Sequence, residues 1–144
     1  MECIICDKHK DFASYVGEPL AIKNGMVIAH MPVIEGQPAT RGHLLIEPIR
    51  HMTDAAELTD DEAMALGLFI RNGIKLVTKE LGAEHAYVFR INDTVPHFHV
   101  HIVPRYPNTP PEHWGQKLME WKGSPKLNGD EVKALSSQLK KSWK

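Results

Sequence analysis

The stretch from Thr59 to Gly82 constrains this chain more than any other. Thr59-Asp60-Asp61-Glu62 reads as a capping box, in which the Thr hydroxyl takes one free first-turn amide and Glu62 reaches back to another. Ala63, Leu66, Ile70, Ile74, Val77 and Leu81 then recur at spacings of three and four, as one apolar stripe of a long helix. Met64, Leu68, Phe69 and Leu76 broaden it, and Gly82 closes the helix as the residue just past its end. Such a helix is amphipathic and needs a partner surface to cover its apolar face.

The segments around it supply that surface as strands. Residues 19–23 and 26–33 are apolar and joined by Asn24-Gly25, a two-residue hairpin turn in which both positions must accept positive φ. Residues 35–42 read as a loop, and 43–48 as a short apolar strand stopped by Pro48. In 86–92, Tyr87, Phe89 and Ile91 alternate against Ala86, Val88 and Arg90; a turn at 93–96 leads into a further strand over 98–103. After a proline-rich stretch and a segment from Trp114 to Trp121, a last helix starts near Asp130, with Val132, Leu135 and Leu139 on its apolar face. The expectation is an α+β domain with an antiparallel sheet packed on the long central helix and a C-terminal helical extension. At 144 residues, 42% of them hydrophobic, the chain can bury a core without needing a metal or a disulfide merely to fold.

A formal net charge of −1 argues against long-range attraction to nucleic acid or a membrane surface and leaves a small, locally held ligand as the natural partner. No opening segment resembles a secretory signal, and no apolar run approaches the ~20 residues of a membrane span, so a cytoplasmic location is expected. In that reducing setting Cys3-Ile4-Ile5-Cys6 reads less as a structural disulfide than as a redox pair or half of a metal site.

Nine histidines are present, and three alternate in His97-Phe98-His99-Val100-His101. On a strand these three share one face at ~6–7 Å intervals, while Phe98, Val100 and Ile102 anchor the other. Two chemistries fit. The imidazoles can be ligands of a catalytic metal with an open position. Alternatively, a neutral imidazole whose Nδ1 proton is held by a backbone carbonyl presents Nε2 as a nucleophile toward phosphorus. His9, His30, His85 and His113 read as surface or internally satisfied residues, His43 as packing beside the site, and Trp114 and Trp121 as lid or core.

His97-Phe98-His99-Val100-His101-Ile102-Val103 resembles the signature of the histidine triad family of nucleotide hydrolases and transferases, and Pro104-Arg105 continues it. The resemblance extends to Cys3/Cys6, to 35–51 with its Gly42-His43 and Pro48-x-x-His51 elements, and to the helix start at 58–62, covering roughly residues 3–106. It implies a histidine-triad domain over 1–106 with 107–144 as an extension packed on it. It also implies that His99 is the nucleophile, forming a nucleotidyl-histidine at the α-phosphate, and that His101 contacts the phosphate or leaving group. Cys3, Cys6, His51 and His97 would hold a structural zinc, so the two chemistries become partners. Glu35 stands where the family has a ribose-binding Asp, and Asn92 and Thr94 would meet phosphate oxygens. The expected enzyme hydrolyses a nucleoside phosphoramidate or dinucleoside polyphosphate containing AMP. The alternatives are a nucleotidyl transferase or phosphorylase, or a zinc-stabilised nucleotide-binding module with little catalysis. A homodimer is implied by the resemblance alone. One departure stands out: Asn92-Asp93-Thr94-Val95 occupies a shortened turn where the family carries a glutamine.

Overall fold

The computed structural model of the protein describes residues 2–91 and 93–144. The capping box forms as expected: Glu62 N donates to Thr59 Oγ1 at 3.1 Å and Thr59 N donates to Glu62 at 2.8 Å. Helix α3 runs Asp60–Leu81, and Gly82 follows it at φ +77°. Its buried face, however, is turned from the expected stripe. Ala65, Phe69, Gly73, Leu76, Val77 and Leu81 are buried, whereas Ala63 and Met64 face solvent and Leu66, Ile70 and Ile74 are half-buried. Gly73 explains the rotation. A Cβ there would lie 2.7 Å from Ile102 Cδ1 and 3.1 Å from Ile28 Cδ1, so this is where the helix comes closest to the sheet. Hydrophobicity alone gives glycine and alanine little weight, although they permit the tightest approach.

The strands are β1 (Ala21–Lys23), β2 (Met26–His30), β3 (Ala39–Thr40), β4 (Leu44–Pro48), β5 (His85–Phe89), β6 (Val100–Arg105) and β7 (Lys126–Leu127). Five make an antiparallel sheet in the order β1-β2-β4-β6-β5, and β3 pairs with β7. Asn24 and Gly25 turn the first hairpin at φ +48° and +78°, as their residue types require. Ile28, Ile46 and Val100 are register partners and, with Leu44 and Ile102, face α3. The alternate residues Ala29, Leu45, Glu47 and His101 therefore face the other way. That second face receives α1 (Ile4–Lys10), followed by the short α2 (Phe12–Tyr15). Beyond residue 106 the chain stays on the same core. Leu127, Val132, Leu135 and Leu139 are buried in it, the last three from α4 (Gly129–Ser142), which is capped by Asn128. Among the described residues no helix is long and apolar enough to cross a membrane.

His30 is one of the satisfied histidines, and it sets an acid limit. Its Nδ1 donates to the Met31 carbonyl at 2.8 Å and its Nε2 accepts from Gly42 N at 2.9 Å, which fixes the neutral tautomer. Burial pushes its pKa down to about 4. A base whose folded pKa lies below its unfolded value binds fewer protons when folded, so its contribution is complete above pH ~6.5 and lost on acidification toward pH 4. The full loss is roughly 3 kcal/mol. Glu47 and Glu62, both held at about 2, lose theirs in the lower window between about 4.5 and 2. Urea unfolding between pH 7 and 4 is expected to show stability falling in the upper window, with a shallower slope for His30→Gln. Equal slopes for the two proteins would remove His30 as the cause.

Candidate functional site

The histidine run does not lie along one regular strand. The register that pairs Ile46 with Val100 would set Pro48 against Phe98, and Pro48 has no N–H to donate, so the ladder ends at Val100. The main chain over 97–99 is held differently: Phe98 N donates to Met52 O at 2.7 Å, and His97 Nε2 donates to Pro48 O at 2.8 Å. The strand expected over 98–103 is thus corrected: it starts at Val100 and runs to Arg105. His97 turns toward the cysteines, while the rings of His99 and His101 meet edge to face, 5.0 Å apart.

Cys3, Cys6, His51 and His97 come together with all four donor atoms within 4.8 Å of one another. Cys3 caps α1, its Sγ accepting from Cys6 N at 3.4 Å, and this turn brings both sulfurs to one side. His97 Nδ1 lies 3.5 Å from each sulfur, and His51 Nδ1 lies 3.6 Å from Cys6 Sγ. Metal–sulfur bonds of ~2.3 Å and metal–nitrogen bonds of ~2.0 Å at a tetrahedral angle put S and N about 3.5 Å apart, so the cluster fits a four-coordinate ion. The Pro48 carbonyl completes the argument. A carbonyl only accepts, so the His97 proton sits on Nε2 and the lone pair of Nδ1 faces the sulfurs, where a metal would take it. Burial lowers the His97 pKa and so favours the neutral ligand form.

His99 is fixed in the same way but with the ring reversed. Its Nδ1 donates to the His97 carbonyl at 2.7 Å, which leaves the lone pair on Nε2. His101 Nδ1 lies 2.8 Å from His43 Nε2, so one of these imidazoles donates to the other. Burial pushes His101 down to about 4, with the neighbouring His99 adding to it, and takes His43 well below its ordinary value, so both are neutral at pH 7. His43 thus does more than pack beside the site: it orients His101. Gly42 makes this possible. It sits at φ +84°, and a Cβ would meet Leu81 Cδ1 at 2.7 Å and Tyr106 Oη at 2.8 Å.

A cavity of about 70 Å³ opens beside His99 and His101, walled mainly by Ile5, Met31, Pro32, Ile34, Leu45 and Val95. A larger one, about 410 Å³, lies between the C-terminal turns of α3 and α4, where Lys79 and Lys141 belong to last turns, the end of a helix dipole that favours cations. The small cavity is the candidate site because His101, whose pKa burial lowers, lines it beside His99. Other expected residues stand apart from its lining. Glu35 is exposed at the tip of the 34–37 turn, at φ +52°, one residue beyond Ile34. Thr94 is exposed and lines a third cavity of about 130 Å³, with Cys3 and His51 on the metal side. Asp93 is exposed to solvent, and Asn92 lies outside the described residues.

A model of the HIT domain family matches residues 30–108, more than half of the chain. The chain belongs to the HIT family. Over nearly its whole length this HIT protein is similar to the adenosine 5'-monophosphoramidase hnt1 of Schizosaccharomyces pombe, at 29% identity over 145 residues and 96% of each chain. It is also 29% identical over 98 residues to an AP-4-A phosphorylase of Mycobacterium tuberculosis, matching 60% of this chain but about half the length of that relative. Its fold is that of a Zn-bound histidine triad family protein from Mycobacterium smegmatis, with a TM-score of 0.65 at 20% identity over 99% of this chain and 98% of the other.

Proposed function

We propose that this HIT protein is a nucleotide hydrolase acting at the α-phosphate of an AMP-containing nucleoside phosphoramidate or dinucleoside polyphosphate. The observation that carries this is the 2.7 Å bond from His99 Nδ1 to the His97 carbonyl, which puts the lone pair on Nε2 of a histidine beside an apolar cavity. In the first step that lone pair forms a P–N bond as the bond from phosphorus to the leaving group breaks. The departing atom takes a proton from His101, which His43 orients and which first takes up that proton beside the bound anionic phosphate. In the second step water attacks phosphorus, its proton returns to His101, and the P–N bond breaks to release the nucleotide and free His99. His99 and His101 also contact the substrate, while Glu35 and Thr94, outside the cavity lining, and Asn92 are proposed as contacts to ribose and phosphate.

We infer zinc as the ion held by Cys3, Cys6, His51 and His97. Two thiolates and two imidazoles form a closed site, so its role is structural: it would hold His97, whose carbonyl orients His99. On this reading 1–106 form the catalytic unit with 107–144 as its extension, and the protein is a cytoplasmic homodimer.

The resemblance to a phosphorylase favours one further reading, in which phosphate replaces water as the acceptor. Incubation with a dinucleoside tetraphosphate, whose leaving group is a nucleoside triphosphate, with and without inorganic phosphate, separates the two. Hydrolysis gives the same nucleoside monophosphate in both arms, whereas phosphorolysis gives a nucleoside diphosphate only when phosphate is added. Brief quenching followed by peptide mass spectrometry is expected to find the nucleotidyl group on His99. Its accumulation on another residue overturns the assignment.

A further inference from the structure

Glu47 is a carboxylate with no exposed surface in the middle strand of the sheet, and the proposed chemistry does not use it. Both of its oxygens are taken by adjacent residues of α1. Lys8 Nζ is 2.8 Å from Oε2 and His9 Nε2 is 2.8 Å from Oε1. Lys8 is itself only 2% exposed. Burial alone would raise the Glu47 pKa, but Lys8 and His9 outweigh it and hold the group ionised. His9 is seated further, with its ring against Phe12 and His97 and Nδ1 facing the Ile49 carbonyl at 3.4 Å.

A buried pair of this kind gains little stability over an apolar pair of the same size, because desolvating both charges offsets their attraction. What it does supply is position. Sliding α1 along the sheet would strand a carboxylate and an ammonium without partners, so one placement of the helix is strongly preferred. That placement matters to the site, because Ile4, Ile5 and Lys8 of α1 wall the cavity that contains His99 and His101. The same helix carries Cys6, so it is fastened twice: through the metal cluster at its start and through Glu47 one turn later.

We propose that Lys8, Glu47 and His9 form a metal-independent clamp that sets the α1 wall of the nucleotide cavity, making Lys8 and Glu47 positioning residues for substrate binding. This rests on reading that cavity as the nucleotide site. The metal and the clamp then divide the work. The metal holds His97 and through it His99, whereas the clamp holds the wall against which the nucleotide packs.

The test uses the full chain in two arms. In the first, hydrogen exchange is followed over residues 4–10 after the metal is stripped. The parent is expected to keep these amides protected, and Lys8→Met/Glu47→Gln, which removes the pair without leaving a buried charge, to lose at least about tenfold of that protection. In the second, the metal-loaded proteins are titrated with AMP. The double variant is expected to retain one metal per chain and to bind AMP about tenfold or more weakly, and Glu47→Gln alone, which leaves the Lys8 side chain in the cavity wall unaltered, to weaken AMP binding in the same direction. Restoring the pair in reversed order, Lys8→Glu/Glu47→Lys, is expected to recover part of both. Equal exchange in parent and double variant without metal overturns the clamp, and unchanged AMP affinity overturns its positioning role. A parent that does not bind AMP overturns the nucleotide reading of the cavity and with it the positioning role, while the exchange arm still decides the clamp.

Discussion

His99→Ala is expected to lower turnover of a nucleoside phosphoramidate by at least about 10⁴-fold while the chain stays folded and keeps its metal. The size of the effect follows from the role. Without the imidazole no covalent step is available, and only the orienting contacts of the cavity remain. The metal is expected to survive because the residues positioned to bind it are His97 and His51 with the two cysteines, and removing the His99 ring leaves the His97 carbonyl and side chain in place. His101→Ala is the informative companion. A residue that delivers a proton rather than attacks is worth about 10²–10⁴. Its loss is expected to fall hardest on substrates with poor leaving groups. Steady-state kinetics on two substrates of different leaving-group pKa, beside metal content and AMP affinity, reads out all of this. A His99→Ala protein within tenfold of the parent's turnover would rule out the nucleotidyl-histidine.

Cys3→Ser/Cys6→Ser is expected to lose the metal and several kcal/mol of stability, lowering Tm by about 10 °C or more. A structural zinc in a small domain contributes much of its binding free energy to folding. Here the chain has a core of its own, so partial rather than complete unfolding of the N-terminal arm is the expected outcome. Turnover falls too, through geometry: the carbonyl that holds the His99 tautomer belongs to a metal ligand. Chelation of the parent should reproduce the variant's Tm. Stoichiometric metal retained in the cysteine variant places the ion on the triad histidines instead, and a metal-bound His99 has no lone pair to offer phosphorus.

Much of this was legible along the chain. The capping box at Thr59, the Asn24-Gly25 turn and the Asn128 cap are local devices, in which each residue type answers the geometry of its own backbone, and all three form. The alternating residues of β5 and β6 and the short turn between them likewise announced an antiparallel pair. The rotation of α3 was not readable, because Gly73 contributes through the side chain it lacks. Nor was the end of the ladder at Val100. Period two holds only while the ladder continues, and the ladder stops opposite Pro48, a residue 50 positions from Phe98 in sequence but beside it in the sheet. In the sequence His43 reads as packing, since nothing near Gly42-His43 says that His101 lies 2.8 Å away. Glu47 did leave a trace, as a lone acid inside the apolar run 43–48, which is how a buried ion pair looks before its partners are known.

The three histidines therefore owe their residue types and spacing to the sequence and their separate jobs to the tertiary structure. A nucleophile needs an imidazole, and the sequence alone supplied that, along with the cysteines and the histidine able to share a metal with His97. Which nitrogen carries each proton is decided by two carbonyls, Pro48 for His97 and His97 for His99, and the fold alone brings Pro48 to the triad. Tautomer and aim are set by hydrogen-bond partners, and a partner 49 residues away exists only once the sheet has closed.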